Sequence, residues 1–150
     1  MDATDRKILV ELQRDGRLSV TDLAERVQLS LSPCHRRLRA LERSGVIAGY
    51  RAYLDARMLG LGFEALVFVT MNAADRGTLE AFETAVRQSS NVVDAQRLFG
   101  NPDYLLRTVA RDLPDFQRIY DDHLATLPGV QKLSSTLVMK SVVHERPLPL

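Results

Sequence analysis

The sequence predicts an α+β chain in which an N-terminal winged helix-turn-helix unit is joined to a C-terminal ferredoxin-like βαββαβ sandwich. Three observations predict it. Three short apolar-periodic segments, each with its own start and stop signals, crowd into the first 45 residues. A stretch rich in β-formers, VIAGYRAYLD, follows Gly45. From Phe63 onward the pattern alternates between strand and helix in the order β-α-β-β-α-β, which suits an antiparallel sheet covered by helices on one face.

The first helix is expected to start at Thr4 or Asp2, to turn Ile8, Leu9 and Leu12 inward, and to stop at Gly16. Ser19 with Asp22 three residues later is a capping-box signal for a second helix, whose inward residues are Leu23, Ala24 and Val27. A tight turn over 28–31 leads into a third helix that begins near Ser30 or Ser32 and ends at Gly45. Pro33 is tolerated there because first-turn amides have no helical partner. After Gly45 comes a wing or linking strand, and residues 54–62 form the passage into the second unit.

In that unit FEALVFVTM reads as a strand, GTLEAFETAVRQSS as a helix with Leu79, Phe82 and Val86 inward, and VVDAQRLF as a second strand. The turn GNPD precedes a third strand, YLLRTVA. A helix is expected from about Asp112 to Leu127 with Phe116, Ile119, Tyr120 and Leu124 inward, and a last strand begins near Val130. On the first strand Ala65, Val67, Val69 and Met71 share one face and Leu66, Phe68 and Thr70 the other, so both faces are apolar. A second copy packed on the open face would bury that surplus, and a homodimer is expected.

Composition bounds the function. A chain of 150 residues, 45% hydrophobic and 26% charged, is long enough for a real core and allows two small domains at most. No apolar run approaches the roughly 18 residues that cross a bilayer. The N-terminal MDATDRKILVELQ is charged and amphipathic, unlike the apolar segment of a signal peptide. A cytoplasmic protein without a membrane partner is therefore expected. Cys34 is the single cysteine, which excludes an intrachain disulfide and a cysteine-based metal site, and it shares an apolar stripe that marks it as a core residue. His35, His123 and His144 lie far apart, with no metal spacing and no nucleophile or acid placed for catalysis. No phosphate-binding glycine loop and no GxSxG occur, so neither a metal nor a cofactor is expected.

The net charge of +1 conceals an asymmetry. Residues 1–53 hold ten Lys and Arg against seven Asp and Glu, while residues 32–51 alone hold five arginines and one glutamate. A polyanion responds to such a local excess rather than to the total. On the third helix Cys34, Leu38 and Leu41 recur at i, i+4 and i+7 and form the inward stripe. Ser32, His35, Arg36, Arg39 and Arg43 fall on the opposite face, and Arg37 lies at the flank. A helix offering hydroxyl, imidazole and guanidinium groups on one side fits the major groove of B-DNA. Ser30, Ser32, His35 and Arg36, near the helix start, are expected at base edges or adjoining phosphates. Arg39 and Arg43 are expected nearer phosphates, and Arg37 either joins them or ties the helix to its own domain.

The stretch TDRKILVELQRDGRLSVTDLAERVQLSLSPCHRRLRALERSGVIAGYRAYLD resembles the DNA-binding domain of the Lrp/AsnC family, the feast/famine regulators, and the β-α-β-β-α-β unit matches that family's effector-binding domain in order and length. The resemblance implies a DNA-binding domain at 1–53, a linker at 54–62 and an effector-binding and oligomerisation domain at 63–150. It implies a sequence-specific transcriptional regulator of double-stranded DNA, a homodimer or octamer, with a small amino acid or related metabolite as effector. It also implies a Gly-x-x-Asp-Tyr-like turn, matched by Gly100, Asp103 and Tyr104, although Pro102 stands where an aromatic is usual. An amino-acid ligand needs an acceptor for its ammonium and donors for its carboxylate. Asp103 suits the first, and the turn amides around Gly100 and Asn101 with Ser134, Ser135 or Thr136 suit the second. These are also the residues that any hairpin turn uses. The alternative is an enzyme resembling siroheme decarboxylases, which share the family fold; such an enzyme needs histidines in the C-terminal cleft, and only His123 and His144 are there. A scaffold or sensor that ignores DNA fits the arginine-rich helix poorly.

Overall fold

The structure, a computed structural model, describes residues 1–144 and 146–150. It divides into two compact units, one of Met1–Tyr53 with Val142–Leu150 and one of Leu54–Ser141. The last nine residues thus group with the N-terminal helices, where the sequence suggests a second domain running to 150. Part of the reason is a pair of hydrogen bonds. The Gln13 side-chain amide donates to Leu148 O at 3.2 Å, and Leu148 N donates to Gln13 Oε1 at 2.6 Å, so one amide imitates a neighbouring strand.

In the first unit α1 spans Ala3–Arg14. Asp2 is its cap, accepting from Asp5 N, while the Asp5 carboxylate accepts from Asp2 N, each at 2.9 Å. Helix α2 spans Val20–Arg26, capped by the Ser19 hydroxyl, which accepts from Asp22 N at 3.1 Å. Gln28 takes a φ of +58° in the turn, and α3 runs from Leu31 to Arg43 with Ser30 before it. Ile8, Leu9, Leu23, Ala24, Val27, Cys34, Leu38 and Leu41 form the core, with Leu12 packed against it.

The expected strand after Gly45 does not form. Extended propensity alone makes no ladder without a partner strand, and these residues are engaged elsewhere. Ile47 N donates to Leu41 O at 3.2 Å, and the Tyr50 hydroxyl donates to Glu42 Oε1 at 3.2 Å.

The second unit comprises β1 (Phe63–Met71), α4 (Arg76–Gln88), β2 (Val92–Arg97), β3 (Tyr104–Ala110), α5 (Leu113–Ile119) and β4 (Val130–Leu137). The strands pair antiparallel in the order β2-β3-β1-β4. Ala65, Val67, Val69 and Met71 of β1 meet Leu79, Phe82 and Val86 of α4 and Phe116 and Ile119 of α5 in one core. On the other face Leu66, Phe68 and Leu105 stay half-buried. The expected helix to Leu127 is shorter: after Ile119 the chain makes one π-turn, Tyr120–Leu124, closed by Ala125 N donating to Tyr120 O at 2.8 Å. The widened turn still buries Leu124 completely. Strand β2 stops at Arg97, leaving Leu98 and Phe99 in the turn with the Phe99 ring fully exposed.

Candidate nucleic-acid interface and effector turn

The α3 side chains separate as their helical spacing requires. Cys34 is wholly buried and Leu38 and Leu41 nearly so, whereas Ser32, His35, Arg36, Arg39 and Arg43 are exposed on the other side. Burial raises the Cys34 thiol pKa above its ordinary value, which keeps it a protonated core atom. Ser30 precedes the helix, is exposed, and makes no side-chain cap bond.

The arginines are not equivalent. Arg36 and Arg43 have no ion-pair partner among the described residues. Arg39 Nη1 donates to Glu42 Oε2 at 3.0 Å, and Glu42 in turn accepts from the Tyr50 hydroxyl. Arg37, for which either a groove contact or a tie to its own domain is expected, makes the tie. Its Nη1 donates to Asp2 Oδ2 at 2.7 Å and to Asp5 Oδ1 at 2.8 Å, which ties α3 to the capping box of α1. Those bonds raise the Arg37 pKa; the Asp2 carboxyl is held below the ordinary range first by the Asp5 amide and then by Arg37. The two aspartates stand 35 and 32 positions before Arg37, too far along the chain for any local pattern to name them as its partners.

In the sheet unit the residues expected around an effector have distinct partners. Asp103 Oδ2 accepts from Met71 N at 2.7 Å, and Asp103 N donates to Val69 O at 2.9 Å, which fastens the turn to the end of β1. Gly100 takes a φ of +132°, and Gly100 and Asn101 are exposed at the tip. Tyr104 points into the core: it is 3% exposed, its ring lies 4.6 Å from that of Phe82, and its hydroxyl donates to Glu83 Oε1 at 3.0 Å. Burial first, and then the Glu83 carboxylate, push the phenol up to about 12. Ser134, Ser135 and Thr136 lie across β1 opposite Phe68, Val67 and Leu66. Thr136 is thus five residues along β1 from Met71, or about 17 Å at ~3.4 Å per residue. Ser135, registered with Val67, also belongs to the opposite face from Ser134 and Thr136.

A family model described as winged helix-turn-helix DNA-binding matches residues 1–48, and one described as the Lrp/AsnC ligand binding domain matches residues 64–148. The chain belongs to the Lrp/AsnC family. It is 40% identical to the proline dehydrogenase transcriptional activator of Rhodobacter capsulatus, over 97% of this chain and 94% of that protein. It is 38% identical to the leucine-responsive regulatory protein of Escherichia coli K12, over 95% of this chain and 87% of that protein. Among solved structures, a Neisseria meningitidis transcriptional regulator in complex with L-methionine superposes with a TM-score of 0.94 at 39% identity, covering 99% of this chain and 96% of that one. An AsnC family regulator from Agrobacterium tumefaciens superposes with a TM-score of 0.93 at 34% identity, covering 99% and 97%. This Lrp/AsnC chain is a DNA-binding transcriptional regulator with an effector-binding domain. Its relatives are regulators, not siroheme decarboxylases, and that alternative falls. Among the described residues no helix is long and apolar enough to cross a membrane.

Proposed function

We propose that Ser30, Ser32, His35, Arg36, Arg39 and Arg43 contact double-stranded DNA, that the regulator acts in the cytoplasm as a homodimer or an assembly of dimers, and that an amino acid is its effector. The exposed side of α3, with Arg36 and Arg43 unpaired opposite a buried Cys34–Leu38–Leu41 stripe, carries this proposal. Arg36 near the helix start suits guanine O6 and N7 as a bidentate donor, and Arg39 and Arg43 farther along suit phosphates. Arg37 is left out of the interface and serves instead as the clamp between α3 and α1. Pairing is supported by the half-buried Leu66, Phe68 and Leu105 on the sheet face away from the helices, which a second copy would cover. The amino-acid effector is supported by the relative solved with L-methionine and by relatives named for a response to leucine.

A mobility-shift titration on DNA from the gene's own upstream region tests the assignment. Replacing Arg36 and Arg39 together by alanine is expected to lower affinity by at least about tenfold, since a bidentate base contact such as that assigned to Arg36 is worth about 1–3 kcal/mol, with oligomeric state unchanged. Retained affinity in that variant, or equal affinity of the native protein for unrelated DNA, would overturn it.

A further inference from the structure

Residues 32–51 hold five arginines and a single acidic residue, Glu42. A free carboxylate on a helix that meets phosphates would repel them, so its presence there needs a physical reason. In the folded chain both of its oxygens are engaged. Glu42 Oε1 accepts from the Tyr50 hydroxyl at 3.2 Å, and Glu42 Oε2 accepts from Arg39 Nη1 at 3.0 Å. The Glu42 side chain is 26% exposed and that of Arg39 61%, so the carboxylate is the covered end of this pair and the guanidinium the open one. Arg39 donates to Glu42 through one nitrogen, and a guanidinium carries five N–H groups, so donors remain for a phosphate.

Tyr50 is itself held in place. Ile47 N donates to Leu41 O at 3.2 Å, which fixes the segment leading to it. Its ring lies by Gly16, where an added Cβ would stand 3.8 Å from Tyr50 Cδ1. Tyr50, Glu42 and Arg39 border one cavity of about 240 Å³ together with Leu12, Leu18 and Leu38. Burial first, and then the Glu42 carboxylate, raise the Tyr50 phenol above its ordinary pKa, so it stays protonated at neutral pH and keeps donating. An exposed ion pair at i, i+3 spacing such as Arg39–Glu42 adds little to stability. Its consequence is direction, because the guanidinium points where Glu42 allows.

We propose that Tyr50 is a positioning residue for DNA recognition: by holding Glu42 it fixes where Arg39 presents its remaining donors, and so sets how strongly the protein prefers its own site over other DNA. Tyr50 touches no DNA in this scheme and acts through Glu42. A phosphate contact carries no sequence information of its own, but one made from a fixed direction sets the register in which Arg36 and its neighbours meet base edges. On unrelated DNA no register has to be kept, and an unguided Arg39 still reaches some phosphate. Loss of the Tyr50 hydroxyl therefore acts on the specific complex and spares the non-specific one. The inference rests on the reading that the exposed face of α3 contacts DNA.

Fluorescence-anisotropy titrations of the full-length protein with a duplex from the gene's upstream region and a scrambled duplex of equal length test it. Tyr50→Phe, which removes only the hydroxyl, should bind the upstream duplex about tenfold more weakly, as expected for one hydrogen bond to a charged group. Its affinity for the scrambled duplex should stay within about twofold of native. Glu42→Gln keeps an acceptor for Tyr50 but loses the charge that holds Arg39, and should narrow the preference in the same way. The deciding measurement is a double-mutant cycle. If Tyr50 acts through Arg39, Tyr50→Phe added to Arg39→Ala costs no further affinity, whereas a merely structural role makes the two losses add. Additive losses, an unchanged preference in Tyr50→Phe, or equal weakening on both duplexes would overturn the relay. Circular dichroism checks that each variant is folded, and Glu42→Gln decides the matter if Tyr50→Phe is not. Weakened binding in Arg36→Ala beside native behaviour in Tyr50→Phe removes the relay and leaves the DNA-contacting face standing; unchanged binding in both Arg36→Ala and Arg39→Ala removes the two together.

Discussion

Gly129 is the glycine of the sheet unit at which an added methyl group meets the closest neighbours. It precedes β4 with a φ of +71°, and its carbonyl accepts from Asn72 N at 2.9 Å, so its backbone is pinned from outside. Alanine in that left-handed conformation costs about 1–2 kcal/mol. The new Cβ would also run into Thr78 Cγ2 and approach Met71 Cε to 3.1 Å. Met71 Cε is the end of a flexible side chain and can move. The Thr78 methyl is held, because the Thr78 hydroxyl donates to Asp75 Oδ2 at 2.6 Å and its amide donates to Asp75 Oδ1 at 3.0 Å at the start of α4. Overpacking of this kind adds about 1–3 kcal/mol. Together Gly129→Ala should lose about 2–5 kcal/mol, a large share of the ~5–15 kcal/mol that holds a typical domain. Urea unfolding followed by circular dichroism measures it as a lower midpoint at unchanged slope. Thr78→Ser in the same chain removes the colliding methyl and keeps the hydroxyl, so the double variant should recover the steric part and leave the φ penalty. A single-variant cost below about 0.5 kcal/mol, or no recovery with Thr78→Ser, would refute the reasoning.

The arginines of α3 divide in the same testable way. Arg37→Ala should lower the melting temperature by releasing α3 from the α1 cap while leaving the salt dependence of DNA binding alone. Arg43→Ala should leave melting unchanged and make log affinity against log salt shallower by about 0.9 for each phosphate that Arg43 neutralises; the reverse pattern would exchange their roles. The Tyr104 phenol makes a prediction about pH. Its folded pKa is raised from 10 to about 12, so the stabilisation it brings is full below pH 10 and is lost as pH rises through 12. The stability difference between the native protein and Tyr104→Phe should therefore shrink between pH 10 and 12, and a flat difference across that window would exclude the buried phenol as its source.

Helices with local start signals were legible in the sequence. Asp2 and Ser19 each cap through a bond to a residue three positions away, and periodicity placed Ile8, Leu23, Cys34 and Leu38 in the core because helical spacing alone decides which side they share. The strands were legible for the same reason, since alternation puts Ala65, Val67 and Val69 on one face wherever the partner strands lie. What failed depended on partners distant in sequence. VIAGYRAYLD has β-forming residues but, among the described residues, no strand beside it, and the helix expected to Leu127 yields to a π-turn that completes the burial of Leu124. Gln13 pairs with Leu148 across 135 positions, a pairing that no window of local sequence contains.

The candidate sites divide along that line. By itself the sequence determined that a basic helix face stands opposite a buried stripe, because both follow from a repeat of 3.6 residues that any packing must respect. Only the tertiary structure decided which of those charges is free. Arg36 and Arg43 face solvent, whereas Arg37 lies within bonding distance of Asp2 and Asp5, near the start of the chain. The same holds at the turn before β3, where Gly100, Asp103 and Tyr104 are neighbours in the chain and part company in space. The alternation of a strand sends the Tyr104 ring beneath α4, while the Asp103 carboxylate fastens the turn to Met71. Side-chain direction is a local property of the backbone, but the availability of a charge is set by what the folded chain brings beside it.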